Sequence, residues 1–221
     1  MDVRKRALIR TKWSSESYWR PNIRALSVLC LSLFIFGVGE GLLVLASLGS
    51  SPWTVLAQGI ALKTGVNIGI CTLLISLSVM LTWIPFEQKL GLGTVLNILL
   101  IAFGLGVSVQ VFDSPETMAY RLILAILGVV IVGVASSFYL TCHMGAGPRD
   151  GLMVGLCQVT GWRIGVIRTS IEVVVCFIGW LLGGVVGIST LLFAFGVGWV
   201  LQVALSVIIW FHKNNRNESR G

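Results

Sequence analysis

The chain has 221 residues, of which 56% are hydrophobic, 11% are charged and the formal net charge is +7. A mean hydropathy of +0.92 is too high for an ordinary soluble domain. Soluble domains also carry about 25% charged residues, far more than the 11% of this chain. Several apolar runs reach the roughly 20 residues that a helix needs to cross a bilayer. The composition therefore predicts an all-α membrane protein.

Residues 1–22 form a basic arm without the apolar core or the cleavage site of a signal peptide. Its basic residues are Arg4, Lys5, Arg6, Arg10, Lys12 and Arg20. Beside a membrane span, such an arm orients the protein and touches anionic headgroups. We therefore expect membrane lipids as partners, and no nucleic acid.

Six apolar stretches bounded by charge, glycine or proline predict six transmembrane helices. They lie near residues 23–47, 66–86, 93–112, 118–143, 164–183 and 187–211. The acidic turn between the third and fourth stretches separates a first three-helix repeat, 23–113, from a second, 118–211, and a tail follows at 212–221. Trp83, at the end of the second stretch, is placed as an interfacial anchor would be.

Two further apolar segments, which begin at Pro52 and Pro148, are too short to cross. Proline fits the first turn of a helix, and Ser51 or Gly147 can serve as the preceding cap. A helix from Pro52 to Leu62 would be about 16 Å long, or half the hydrocarbon thickness. Each segment is therefore predicted as a re-entrant or half-helix surrounded by protein or a wet cavity.

Basic residues predict the orientation. If neither short segment crosses, the arm, the turn near Lys89, the segment from Arg149 to Arg163 and the tail share one membrane face. The opposite face holds Lys63 and the acidic turn. The positive-inside rule then places both termini in the cytoplasm.

The sequence repeats itself at a spacing of 96 residues. Gly49, Pro52, Leu56, Gly59, Thr64, Gly65, Ile68 and Gly69 recur as Gly145, Pro148, Leu152, Gly155, Thr160, Gly161, Ile164 and Gly165. Further on the matching spacing becomes 92, so that Gly104 pairs with Gly196 and Gln110 with Gln202. Because each half holds an odd number of spans, the second half is predicted to enter the membrane from the opposite side, as an inverted repeat.

Charges within the spans carry the first candidate sites, since each costs roughly 2.5–3.5 kcal/mol near a helix centre. Arg168 and Glu172 stand four residues apart and can neutralise each other, either as a static pair or with a function. Glu40 is a candidate coupling site for protons, or it can snorkel outward.

The remaining candidates lie on or near the half-helices. Arg149 and Asp150 replace Trp53 and Thr54 of the first half, and Arg149 can hold an anion at a helix N-terminus or pair with Asp150 or a lipid phosphate. The predicted substrate-binding residues are Pro52, Thr54, Gln58, Pro148, Arg149, Asp150, Arg168, Glu172, Gln110 and Gln202.

No catalytic or metal-binding residue is predicted. The five cysteines form no CxxC pair and have no histidine cluster beside them, which gives no support to a disulfide, zinc or redox site. The sequence also has no HExxH, GxSxG or nucleotide-binding loop. We therefore expect neither an enzyme nor a cofactor.

The segment LGSSPWTVLAQG (48–59), followed by GVNIG (65–69), resembles the motif of the YczE-like family of bacterial membrane proteins, which is often grouped with YitT-like proteins. The resemblance runs from about Ile23 to Trp210. It implies a multispan fold in the bacterial cytoplasmic membrane, and brings no established substrate or reaction.

Three function classes remain open. A secondary transporter of a small solute, either anionic or neutral, with its site between the two repeats, accounts for the repeat, the half-helices and the intramembrane charges together. A channel or lipid-handling protein can use the same architecture. A membrane assembly factor without transport activity needs a partner, and a homo-oligomer is compatible with each class.

Overall fold

The computed structural model describes residues 11–86, 90–162 and 164–218, which form α-helices and no strand. The helices are α1 (Ile23–Ala46), α2 (Pro52–Thr64), α3 (Ile68–Leu81), α4 (Leu92–Val111), α5 (Met118–Thr141), α6 (Pro148–Thr160), α7 (Ile164–Leu181) and α8 (Ile188–Glu218). A short 3-10 turn, Ile84–Phe86, follows α3. The prediction of an all-helical protein is confirmed for this part of the chain.

Within the described residues, four helices are long and apolar enough to cross a membrane: α1, α4, α5, and α8 as far as Phe211. The pair of α2 and α3 counts as a fifth span only if it is taken as one element, and a bend of 119° separates its two members. With 14 residues, α3 is about 21 Å long, which is shorter than the hydrocarbon core. The prediction of six spans is therefore confirmed for only four or five.

The centre of the bundle is α1, which packs against both α4 and α5, while α5 also packs against α8. Glycines allow the helix backbones to approach closely. A Cβ added at Gly37 of α1 would collide with the carbonyl oxygen of Ile101 on α4, and one added at Gly128 of α5 would lie 2.9 Å from the carbonyl oxygen of Gly39. Small residues at such crossings are typical of membrane helices.

The half-helices α2 and α6 begin at the predicted prolines, and each has its proline in the first turn. Both end at a left-handed glycine, Gly65 with φ 72° and Gly161 with φ 70°, a conformation that glycine adopts without steric cost. Each half-helix packs across the molecule, α2 on α7 and α6 on α3. α2 and α6 therefore each contact a helix that lies far away in the sequence.

Backbone geometry and hydrogen bonds recur at the spacing of 96 residues. Ser47 and His143 both have a positive φ, at 54° and 56°. The amide of Gly93 donates to Met144 at 2.8 Å, and the amide of Ser189 donates to Leu48 at 2.9 Å. These bonds join the start of α4 to the end of α5, and the start of α8 to the end of α1.

The spacing stays at 96 through the last helices, so the predicted change to 92 is wrong. Gly37 faces the carbonyl of Ile101, and Gly133, 96 residues later, faces the carbonyl of Val197. A shift of four residues is close to one helical turn, so it superimposes like residues on the same face of α4 and α8. As a consequence, Gln110 and Gln202 are not equivalent positions.

One pair of equivalent contacts differs between the halves. In the first half, α3 packs against α4, where a Cβ on Gly69 would lie 2.6 Å from the carbonyl oxygen of Ala102. In the second half, α7 and α8 line opposite walls of a cavity, and the described residues give them no comparable packing. Among the described residues, no atom of another segment lies within 4 Å of a Cβ added at Gly198 of α8, which corresponds to Ala102.

Residues 11–22 lie against the bundle. The indole N–H of Trp13 donates to the Thr141 hydroxyl at 3.0 Å, and the amide of Leu92 donates to the carbonyl of Tyr18 at 2.9 Å. The arm therefore joins the start of α1 to the start of α4 and the end of α5. We call this end of the bundle the N-side and the opposite end the far side.

Replacing Gly37 with alanine should destabilise the bundle, because the new methyl group meets backbone atoms of α4 that cannot move without separating the helices. Overpacking of this kind costs about 1–3 kcal/mol. The measurement is the thermal unfolding midpoint of the purified protein in detergent. Gly198→Ala is the matched control, because its methyl group enters open space; an equal loss of stability in both variants would contradict the packing described for α1 and α4.

Candidate functional site

A cavity of about 310 Å³ lies where the N-termini of α2 and α6 meet, between α7 and α8. The half-helices contribute Pro52 and Pro148 to its wall. Its charged lining residues are Arg149, Asp150, Arg168 and Glu172, and its other polar lining residues are Ser51, Trp53, Ser76, Asn97, Ser136 and Tyr139. Six of the ten predicted substrate-binding residues therefore line one cavity: Pro52, Pro148, Arg149, Asp150, Arg168 and Glu172.

The N-terminus of α2 is tied to α1 by Glu40. The Glu40 Oε2 accepts hydrogen bonds from the Ser51 hydroxyl at 2.8 Å and from the Thr54 hydroxyl at 2.6 Å. Ser51 was expected to cap α2, but its side chain makes no cap hydrogen bond there and donates to Glu40 or Thr54 instead. Glu40 is only 1% exposed, and its Oε1 has no partner among the described residues.

The N-terminus of α6 is tied to α5 by the opposite arrangement. Here the half-helix supplies the carboxylate, and the Tyr139 hydroxyl on α5 donates to the Asp150 Oδ2 at 2.9 Å. Trp83 also donates its indole N–H to the Pro148 carbonyl at 2.9 Å. Because Trp83 is only 3% exposed, it positions α6, and its predicted role as an interfacial anchor is wrong.

The side chain of Arg149, at the start of α6, reaches the start of α2. Its guanidinium carbon stands 5.3 Å from the centre of the Trp53 ring, a cation–π contact. Among the described residues, no carboxylate lies within 4.0 Å of its guanidinium nitrogens. Glu40, Asp150 and Glu172 are its electrostatic neighbours at longer range. Of the alternatives left open for Arg149, direct pairing with Asp150 is therefore not formed.

Arg168 and Glu172 form the predicted pair on α7. The Arg168 Nε lies 3.1 Å from the Glu172 Oε1, and the two side chains are 57% and 32% exposed. The pair therefore opens onto the cavity, where α7 stands away from α8.

The other predicted site residues lie outside the cavity lining. Thr54 is buried against Glu40. Gln58 accepts a hydrogen bond from the amide of Val185 at 2.9 Å, which ties α2 to the turn after α7. Gln110 and Gln202 are exposed on α4 and α8. Neither Gln110 nor Gln202 contributes to the site.

Tyr139, Asn97 and Trp53 line the cavity but were not predicted as site residues. Trp53 is the repeat equivalent of Arg149, so the spacing of 96 pairs the two positions without indicating that they touch. Tyr139 stands in a long apolar run, and a polar side chain there gives only a weak signal. Within the described residues, no group of three or more His, Cys, Asp or Glu side chains is placed to hold a metal ion.

Comparison with known proteins gives relatives without an assigned activity. The chain is 48% identical to an uncharacterized protein of Haemophilus influenzae over 94% of its own length and 95% of the relative's. It is 30% identical to the uncharacterized membrane protein YczE of Bacillus subtilis, over 79% of this chain and 81% of that one. No solved structure matches.

The relationship with YczE confirms the resemblance seen in the sequence, and a family of unknown function, DUF6198, matches residues 23–206. With its apolar helices, the chain is a multispan helical membrane protein. It belongs to the DUF6198 family.

Proposed function

We propose that the protein is a secondary transporter that moves a small anion by alternating access, with its site between two inverted repeats, 23–113 and 118–211. Transporters of this kind bind at the junction of their repeats, where broken helices point their N-termini at the substrate. The recurrence of hydrogen bonds and of positive φ angles at a spacing of 96 supports the repeat.

The directions of the helices support the inversion. α1 starts at the N-side, where the arm lies, and its end bonds to the start of α8 at the far side. α5, the equivalent of α1, ends at the N-side, beside the start of α4. Equivalent helices in the two halves thus run in opposite directions, as an inverted repeat requires.

The observation that carries the transport proposal is the difference between two equivalent helix pairs. Ile75 of α3 packs against the cluster that contains Leu105 of α4. Their equivalents 96 residues later, Ile171 and Leu201, line the walls of the cavity. One repeat is closed where the other is open, which is the asymmetry that an alternating carrier exchanges between its two states.

The far side is closed by the contact between α3 and α4, and the cavity opens between α7 and α8, whose connecting turn lies at the far side. With both termini in the cytoplasm of a bacterium, as the charge distribution predicts, this is an inward-facing state. Closure of α7 on α8 and opening of α3 from α4 would then expose the same site to the outside.

Cross-linking tests the exchange without knowledge of the solute. In a variant without native cysteines, the pairs Ile75→Cys with Leu105→Cys and Ile171→Cys with Leu201→Cys are combined in one chain and oxidised in native membranes. We expect each pair to form a disulfide in part of the population, and very few molecules to carry both. Free thiols are counted by the gel shift that a maleimide-polyethylene glycol gives.

Each pair alone, with its thermal stability measured first, serves as the matched control. Molecules with both disulfides in high yield would contradict alternation and favour a static protein or a channel. Failure of the α7–α8 pair to cross-link while the α3–α4 pair does so would contradict closure of α7 on α8.

Glu40 is the proposed coupling site, because it is a buried carboxylate at the base of the half-helix with one unpartnered oxygen among the described residues. Glu40→Gln keeps the shape of the side chain and removes its charge. We expect anion uptake into proteoliposomes to lose its dependence on a pH gradient, measured with an internal pH dye against a panel of small organic anions. Glu116→Gln, at an exposed acid in the far-side turn, is the control; a full pH dependence in Glu40→Gln would refute the coupling role.

A further inference from the structure

The cavity holds one positive charge that is not matched at close range. Glu172 is paired with Arg168, and Asp150 keeps its negative charge while it accepts a hydrogen bond from the neutral Tyr139 hydroxyl, without forming an ion pair with Arg149 within 4.0 Å. That leaves Arg149, whose only short-range partner among the described residues is the Trp53 ring. A ligand with a single negative charge can occupy this position, whereas a second negative charge would meet the carboxylates of Asp150 and Glu172.

Apart from the Arg168–Glu172 pair on α7, the walls on either side of the opening are apolar. They are formed by Met153 of α6, Ile171 of α7, and Phe193, Val197 and Leu201 of α8. The uncharged polar groups of the lining lie on the other helices, α3 to α5, and at the start of α2. A ligand bound at Arg149 would therefore extend along hydrocarbon side chains toward the gap between α7 and α8, where water would have no hydrogen-bonding partners beyond the Arg168–Glu172 pair.

The size of the cavity limits the ligand. A volume of 310 Å³ is at the small end of the range of about 300–1,000 Å³ for ligand pockets. At about 30 Å³ for each water-sized group, it takes roughly ten non-hydrogen atoms. A carboxylate with a chain of about seven carbons fills this volume, and the longer tails of a membrane lipid would extend beyond it.

We propose that the ligand is an amphipathic monoanion, with a carboxylate-like head on Arg149 and a short hydrocarbon body between α6, α7 and α8. This inference rests on the proposed function, since it names the solute class of the same site. It excludes small inorganic dianions, which would leave the apolar walls unoccupied, and organic cations whose charged head would lie against the Arg149 guanidinium.

The test is calorimetric binding to the full-length protein in phosphatidylcholine nanodiscs, with straight-chain carboxylates from acetate to decanoate as probes. We expect the Kd to fall about fourfold for each methylene that is buried, and to level off near eight carbons, when the cavity is full. Phosphate, sulfate and octylammonium should bind at least tenfold more weakly than octanoate.

Three variants test the binding of the ligand's charged head and of its hydrocarbon body separately. Arg149→Gln should abolish specific binding at every chain length, and the heat that remains measures partitioning into the nanodisc lipid. Leu201→Asn should weaken octanoate at least fivefold and leave acetate unchanged. Arg121→Gln is the matched control for charge, because Arg121 lies at the far-side turn, where its Nε donates to the Pro115 carbonyl.

The outcomes distinguish this inference from the transport proposal. Binding that depends on Arg149 but not on chain length, or phosphate that binds more tightly than octanoate, would overturn the amphipathic class and leave an anion carrier. Tight octylammonium binding would contradict the negative charge that we assign to the ligand. Loss of octanoate binding in nanodiscs that contain phosphatidylglycerol would assign the head site to a lipid phosphate. If no anion bound while the cysteine pairs still alternated, the anionic solute would be wrong and alternation would stand.

Discussion

The fold depends on hydrogen bonds between carboxylates and hydroxyls that hold two helix ends inside the bundle. A broken helix exposes backbone N–H groups that bilayer hydrocarbon cannot satisfy, so each break must be held inside the protein. In the first half, Glu40 on the long helix receives two hydroxyls from the start of α2. In the second, Tyr139 on the long helix donates to Asp150 at the start of α6. The two anchors use the same kind of bond. In the first the carboxylate is on the long helix, and in the second it is on the short one.

This arrangement accounts for the position of the cavity. Because both half-helices start at these anchored points, Trp53 and Arg149 come together, and the cavity lies beside them. The charged pair on α7 forms its outer wall. Two acids of the chain differ in their surroundings. Glu40 is enclosed and lies outside the cavity lining, whereas Glu172 faces the cavity.

Much of the local structure could be predicted from the sequence. Proline at the first helical turn placed the start of α2 and of α6, and the four-residue spacing of Arg168 and Glu172 gave their ion pair. The spacing of 92 misled because four residues are nearly one turn, so Gln110 and Gln202 matched on the same helix face without being equivalent. A polar residue in an apolar run does not reveal which helix it faces. The bond of Tyr139 to Asp150 and the burial of Trp83 depend on contacts between distant segments, which a single sequence does not contain.

The contact of Trp53 with Arg149 bears on how such a chain can have arisen. The two positions are equivalent under the proposed repeat, so a two-fold axis relating the halves would pass between them. In a symmetric dimer of one three-helix unit, only identical residues can meet on such an axis: two arginines would repel each other, and two tryptophans would leave no charge. An arginine facing a tryptophan requires two units of different sequence, which a chain with diverged halves supplies. Covalent fusion therefore does more than link two spanning units, because it permits a single, off-centre charge where a symmetric pair of subunits must have none or two.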